Sequence, residues 1–127
     1  MRLRSTNDQK KFKIGDAEFS IRVLDRKTYS KLLAQFMHAR ETAKTNTVEE
    51  RHASEDALNN ALKEFVRAGV SGHSGIERGD GSPFAFLTDE QGVAPEIVAA
   101  YEDQGWIPRL GAEVINVNGL NEGEIKN

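Results

Sequence analysis

The sequence predicts an α+β domain: an N-terminal β-hairpin packed on a helical hairpin, with a short second hairpin and C-terminal helices after it. Three observations carry this. Apolar and polar residues alternate between Lys10 and Val23, the period of a half-buried strand. Apolar residues then recur at helical spacing in two successive stripes, one beginning at Tyr29 and one at Ala57. Glycines at 69, 72, 75, 79 and 81 then interrupt any further helix. A chain of 127 residues suits one domain with one modest core. The expected boundaries are a flexible arm over 1–9, a single domain over 10–117 and a flexible tail over 118–127.

The first hairpin is the most constrained element. Phe12 and Ile14 alternate with lysines, and Ala17, Phe19, Ile21 and Val23 alternate with Glu18, Ser20 and Arg22. Gly15-Asp16 between them suits a two-residue type II′ turn, glycine first. Such a loop pairs Ile14 with Ala17 and Phe12 with Phe19, and puts all the apolar residues on one face. A lone hairpin is marginal in water, so that face needs a cover. The next segment is the expected cover. Asp25 or Thr28 caps a helix there, and Tyr29, Leu32, Leu33, Phe36, Met37 and Ala43 form its stripe.

Thr47-Val48-Glu49-Glu50 fits a capping box for a second helix, with Ala57, Leu58, Ala61, Leu62, Phe65 and Val66 on one face. Gly69 sits where a C-terminal glycine is expected. A single uninterrupted helix from Lys27 to Ala68 would be roughly 60 Å long, too long for one small core to cover. A helical hairpin broken at Thr45 to Thr47 is therefore preferred. Val70 and Ile76, facing Phe84 and Phe86 across Gly79-Asp80-Gly81, suggest the second hairpin. Thr88-Asp89-Glu90-Gln91 reads as another capping box, and Pro95 as a first helical turn. A short helix through Ile97, Val98, Ala100 and Tyr101 then ends at Gly105. Glu113 to Val117 reads as either strand or helix.

Composition excludes several classes of function. Acids outnumber bases 20 to 17, a net charge of −3, against the basic balance of a dedicated nucleic-acid binder. With no cysteine there is neither a disulfide framework nor a thiolate metal site. No apolar run approaches the roughly 18 residues of a membrane span. The N-terminus has no apolar signal region, so a cytoplasmic protein is expected.

Catalytic and metal-binding patterns stay at background. His52 has Glu55 and Asp56 at helical ligand spacing, but charged helix faces produce such pairs constantly, and no His-x-x-x-His occurs. His38 stands alone beside Met37. His73 in Ser71-Gly72-His73-Ser74-Gly75 lacks the strand–Gly-x-Ser-x-Gly–helix setting of a nucleophile elbow and reads as a flexible turn. The glycine-rich stretch follows a helix and has no Gly-Lys-Ser or Gly-Lys-Thr, so it is not a phosphate loop. Asp80 lacks partner acids at calcium-loop spacing. No catalytic, cofactor-binding or metal residue is assigned. The apolar stripes are core first. Any surplus forms a groove or an oligomer interface, sought first at Leu58, Leu62, Phe65, Trp106 and Ile107.

Three segments together resemble one family. They are the tight hairpin Phe12-Lys13-Ile14-Gly15-Asp16-Ala17-Glu18-Phe19, the stretch Gly75-Ile76-Glu77-Arg78-Gly79-Asp80-Gly81-Ser82-Pro83-Phe84-Ala85-Phe86 before a capped helix, and the ending Val117-Asn118-Gly119-Leu120-Asn121-Glu122-Gly123-Glu124-Ile125-Lys126-Asn127. In this order they resemble the tail assembly chaperones of long-tailed, siphovirus-type bacteriophages. Where that family carries a tryptophan near the first glycine, this chain has Val70, Ser71 and His73. The resemblance implies a non-enzymatic protein of the host cytoplasm, absent from the mature virion. Such a protein binds the helical tape-measure protein and helps recruit the major tail protein. It also implies a longer frameshifted product, for which Ile125-Lys126-Asn127 can be encoded by a slippery run. The alternatives are a head–tail joining or tail-terminator virion protein, a bacterial protein-interaction module and, last, a small enzyme. A homo-oligomer is compatible with each; no nucleic-acid or membrane partner is expected.

Overall fold

The computed structural model describes residues 9–42 and 48–126. The expected arm up to Asp8, the break at Thr45 to Thr47, Ala43 and the Thr47 end of the capping box lie outside the described residues. The architecture is α+β. Strands β1 (Gln9–Ile14), β2 (Ala17–Arg22) and β3 (Val70–Ser74) form an antiparallel sheet in the order β1-β2-β3. A small ribbon pairs β4 (Thr88–Asp89) with β5 (Gly92–Val93). The helices among the described residues are α1 (Arg26–Thr42), α2 (Val48–Gly69), α3 (Pro95–Asp103) and α4 (Ile107–Lys126).

The first hairpin has the expected register, with Ile14 opposite Ala17 and Phe12 opposite Phe19. Gly15 has φ +59° and Asp16 a negative φ, the signs of type II′ and not type I′. Ile14, Ala17, Phe19, Ile21 and Val23 are all buried on one face. Against that face lies α4, from the other end of the chain, whereas α1 packs on α2. All these elements share one core, which joins Phe19 and Ile21 to Phe65, Val66, Leu110 and Val114.

The third strand corrects the sequence reading, which assigns Val70 to the second hairpin. Val70 pairs with Ile21, and His73 with Phe19, across a bulge between Ser20 and Ile21. Val-Ser-Gly-His-Ser holds one aliphatic residue, so no alternation marks it as a strand. The second hairpin is correspondingly shorter. The Phe84 N–H donates to the Ile76 carbonyl (2.9 Å), and the Arg78 N–H to that of Ser82 (2.7 Å). At its tip Asp80 Oδ1 accepts from the Ser82 hydroxyl and N–H, and these bonds hold its carboxyl below the usual carboxylate range.

Asp25 caps α1. Its Oδ1 accepts from the Thr28 N–H at 2.9 Å and its Oδ2 from the Thr28 hydroxyl at 2.7 Å. The bonds from Thr28 lower the Asp25 pKa. A depressed folded-state pKa contributes stability above the ordinary carboxylate range, and that contribution is lost as pH falls through the folded value. Asp25→Ala is therefore expected to cost about 1 kcal/mol at neutral pH. The deficit against the parent should shrink below about pH 4, as urea titrations across pH would show.

The two helices form an antiparallel hairpin. Phe65, late in α2, meets both Tyr29 and Phe36, while His38 and Ala39, late in α1, share a groove with Ala57 and Ala61. The seam on α1 runs through Tyr29, Leu32, Phe36 and Ala39. Met37, placed in the stripe from sequence, is one residue off this line and 45% exposed.

Gly69 is not a left-handed cap, since its φ is not positive; α2 runs straight into β3. A Cβ at Gly69 would overlap the Val114 side chain, and one at Gly111 would crowd Leu62. These two glycines let α2 and α4 approach closely. Thr88 to Gln91 is not a helix cap either. Asp89 Oδ1 accepts the Gln91 N–H at 2.8 Å, making the tight turn of the β4–β5 ribbon. Arg67 fastens that ribbon to α2: its guanidinium donates to Asp89 Oδ2 (2.6 Å), Gln91 Oε1 (2.9 Å) and the Val93 carbonyl (3.1 Å).

Pro95 opens α3 as expected. The helix ends in a Schellman motif, with Gly105 at φ +74°, the Gly105 N–H on the Glu102 carbonyl and the Trp106 N–H on the Tyr101 carbonyl, both at 3.0 Å. Glu113 to Val117 resolves as helix. The expected tail does not begin at Asn118, because α4 continues to Lys126 and Asn118 is fully buried. Its Oδ1 accepts the Leu24 N–H and its Nδ2 donates to the Val114 carbonyl, both at 2.8 Å. Among the described residues no helix is long and apolar enough to cross a membrane.

Candidate functional site

The β1–β2 turn, the loop after β3 and the α3–α4 junction enclose a cleft of about 710 Å³. Each wall is set by a local rule already described: a type II′ turn, a short ladder around Gly79 and a Schellman motif. Ile14, Ala17, Ile76, Phe84, Tyr101 and Trp106 form its apolar lining. Asp16, Glu77, Arg78 and Gln104 add polar groups. Gly75, at φ +75°, brings the loop against the hairpin turn, where a Cβ would overlap the Asp16 carbonyl oxygen. Only glycine lets these two walls meet so closely.

Buried aromatic contacts fix the floor. Phe19 is fully buried and meets Tyr101 edge-on at 5.4 Å and Trp106 edge-on at 5.6 Å. Tyr101 and Trp106 lie 6.1 Å apart, the side-chain contact that accompanies the Schellman backbone. His73 lies behind the cleft. Phe84 stacks on its ring with 14° between planes, and Phe86 meets it edge-on at 5.2 Å.

Both His73 nitrogens are engaged. Nε2 lies 2.6 Å from the Phe84 carbonyl, which only accepts, so Nε2 carries a hydrogen. In the neutral ring Nδ1 then accepts the Tyr101 hydroxyl at 2.6 Å. Burial pushes the Tyr101 phenol pKa up, which keeps that proton in place. His73 therefore ties β3, the second hairpin and α3 together. Its ring partners are Tyr101 and Phe84, while the Ser71 hydroxyl donates to the Ser20 carbonyl at 3.2 Å. Tyr101→Phe removes the donor to Nδ1 and is expected to cost about 1–3 kcal/mol in urea unfolding. A loss near zero would show that the hydroxyl is replaceable there.

The residues singled out from sequence do not form one surface. Trp106 lines the cleft and is half-buried. Phe65 and Ile107, at 0% and 1% exposure, are core. Leu58 and Leu62 are half-buried on α2, and Leu62 packs at Gly111 against α4. The spacing of α2 marked its apolar face correctly, but α1 and α4 both cover it. The cleft residues missed from sequence come from separate turns, and no single spacing relates them. His52 is exposed, 3.9 Å from Glu55. Lys63 and Asn59 on α2 reach Glu102 on α3, at 2.7 and 2.8 Å, and lower its pKa.

No family model matches the chain, and neither curated proteins nor solved structures include a significant match.

Proposed function

We propose that this protein is a non-enzymatic tail assembly chaperone of a long-tailed bacteriophage. In this role it holds the helical tape-measure protein and helps bring the major tail protein to it in the host cytoplasm. The observation that carries the reading is the aromatic-floored cleft beside Trp106, on a domain whose sequence order resembles that family. A cleft of this lining takes an apolar side chain from a helical protein segment. Its walls are fixed by buried contacts, so little ordering accompanies binding. A shallow contact of one or two anchors gives weak, exchangeable affinity per site, which suits a chaperone that a tail tube must later displace. Many copies along one long client then act together.

Co-expression with the longest helical protein encoded beside this gene tests the reading. Soluble complexes with several copies of this chain per client are expected, and mass spectrometry of purified virions should not find the chain. An insoluble client, together with the chain retained in virions, would overturn the proposal in favour of a head–tail joining or tail-terminator component.

A further inference from the structure

The charges at the cleft mouth specify the partner more closely. Asp16 and Glu77 both line the cleft, and both are exposed. Among the described residues neither carboxylate forms an ion pair or a hydrogen bond. The one cation in the lining, Arg78, forms no ion pair with either among the described residues. Its guanidinium lies over the Phe84 ring at 5.1 Å, and its charge helps lower the Asp80 pKa. The mouth thus presents two unpaired carboxylates around an apolar floor. We propose that the cleft binds an amphipathic helical segment of another protein, in which an aromatic or leucine anchor is flanked by lysine or arginine.

The anchor fills the space against the half-buried Ile76, Phe84 and Trp106, and the flanking cations reach Asp16 and Glu77. Exposed ion pairs add little each, so the apolar anchor supplies most of the affinity and the acids supply the choice of partner. A second copy of this chain is a poorer occupant, because the chain is itself acidic, with net charge −3. The inference rests on the reading of the cleft as a protein-docking site.

The chain holds a single tryptophan, and it lines the cleft, so its emission reports occupancy directly. The probes are synthetic amphipathic helices without tryptophan, sharing one Leu/Phe stripe and flanked by lysine, glutamine or glutamate. The lysine peptide is expected to shift Trp106 emission to the blue and to bind roughly tenfold more tightly than the glutamate peptide. Added salt should narrow that gap. Asp16→Lys with Glu77→Lys should reverse the order, and Asp16→Asn with Glu77→Gln should flatten it. Both pairs of changes fall on exposed side chains, and near-UV circular dichroism checks the fold of each variant. Equal affinity for the three peptides, or a charge preference without a Trp106 response, would overturn the inference. So would an emission shift that follows protein concentration alone, which would make the cleft a self-association site. If the tape-measure protein binds while the peptide order is flat, the inference fails and the chaperone reading stands. If the order holds while that client is ignored, the chaperone reading fails and the inference stands.

Discussion

Phe19→Ala is expected to lower the unfolding free energy by about 3–5 kcal/mol, the range for a fully buried phenylalanine. The ring sits in the middle strand, is 0% exposed, and is the common edge-on partner of Tyr101 and Trp106. Its loss removes apolar burial, leaves a cavity under the sheet and takes two aromatic contacts from the cleft floor. Against a typical stability on the order of 5–15 kcal/mol, that is a large fraction. Urea unfolding followed by circular dichroism gives the number, and an unchanged denaturant slope would confirm that only stability moved. A loss below about 1 kcal/mol would mean that the sheet does not bury this face. The same variant should also shift Trp106 emission to the red, because its neighbour is gone.

Gly92→Ala is expected to cost about 3 kcal/mol or more. Gly92 has φ +125°, a conformation that alanine adopts only under strain of order 1–3 kcal/mol. A Cβ there would also overlap the Arg67 carbonyl oxygen, a backbone atom that cannot rotate away. The ribbon must therefore lift from α2, breaking the fan of bonds from the Arg67 guanidinium to Asp89, Gln91 and Val93. Hydrogen exchange should show the ribbon and the start of α3 losing protection before β1 and β2 do. Gly79→Ala is the control. Nothing lies within 4 Å of a Cβ built there, its φ is not positive, and its effect should stay within about 0.5 kcal/mol.

The contrast between these glycines shows what the sequence can and cannot express. Gly15 was legible because its turn joins two alternating runs whose register only one loop length satisfies. Gly69, at the end of an apolar stripe, has the same appearance as a cap, yet it serves contact with Val114, a residue 45 positions later. Local spacing carries no information about such a partner. Thr88 to Gln91 reads as a helix cap, and is a turn, for a related reason: an aspartate that bonds a backbone N–H nearby serves a helix start or a turn equally well. β3 escaped because its place in the sheet comes from backbone pairing, and because the bulge sets Val70 and His73, three positions apart, opposite the inward-facing Ile21 and Phe19, which breaks any period of two. For the cleft, Trp106 alone was legible, as a large apolar residue just past a helix-ending glycine. Ile107 has the same local signature, and Phe65 stands in an apolar helical stripe, yet both are core, since burial is decided by what packs on top.

The bond from the Leu24 N–H to Asn118 spans 94 positions. It forms between the end of the first hairpin and the last helix, and α4 is also the element that lies against β2. A chain emerging from the ribosome therefore presents the residues of its first hairpin long before the helix that closes over them. Until α4 has been released, Phe19, Ile21 and Val23 lack their cover, and the nascent hairpin is an exposed apolar ribbon in need of shielding. The sequence order of the chain thus leaves its most apolar strand to be synthesised early and enclosed last.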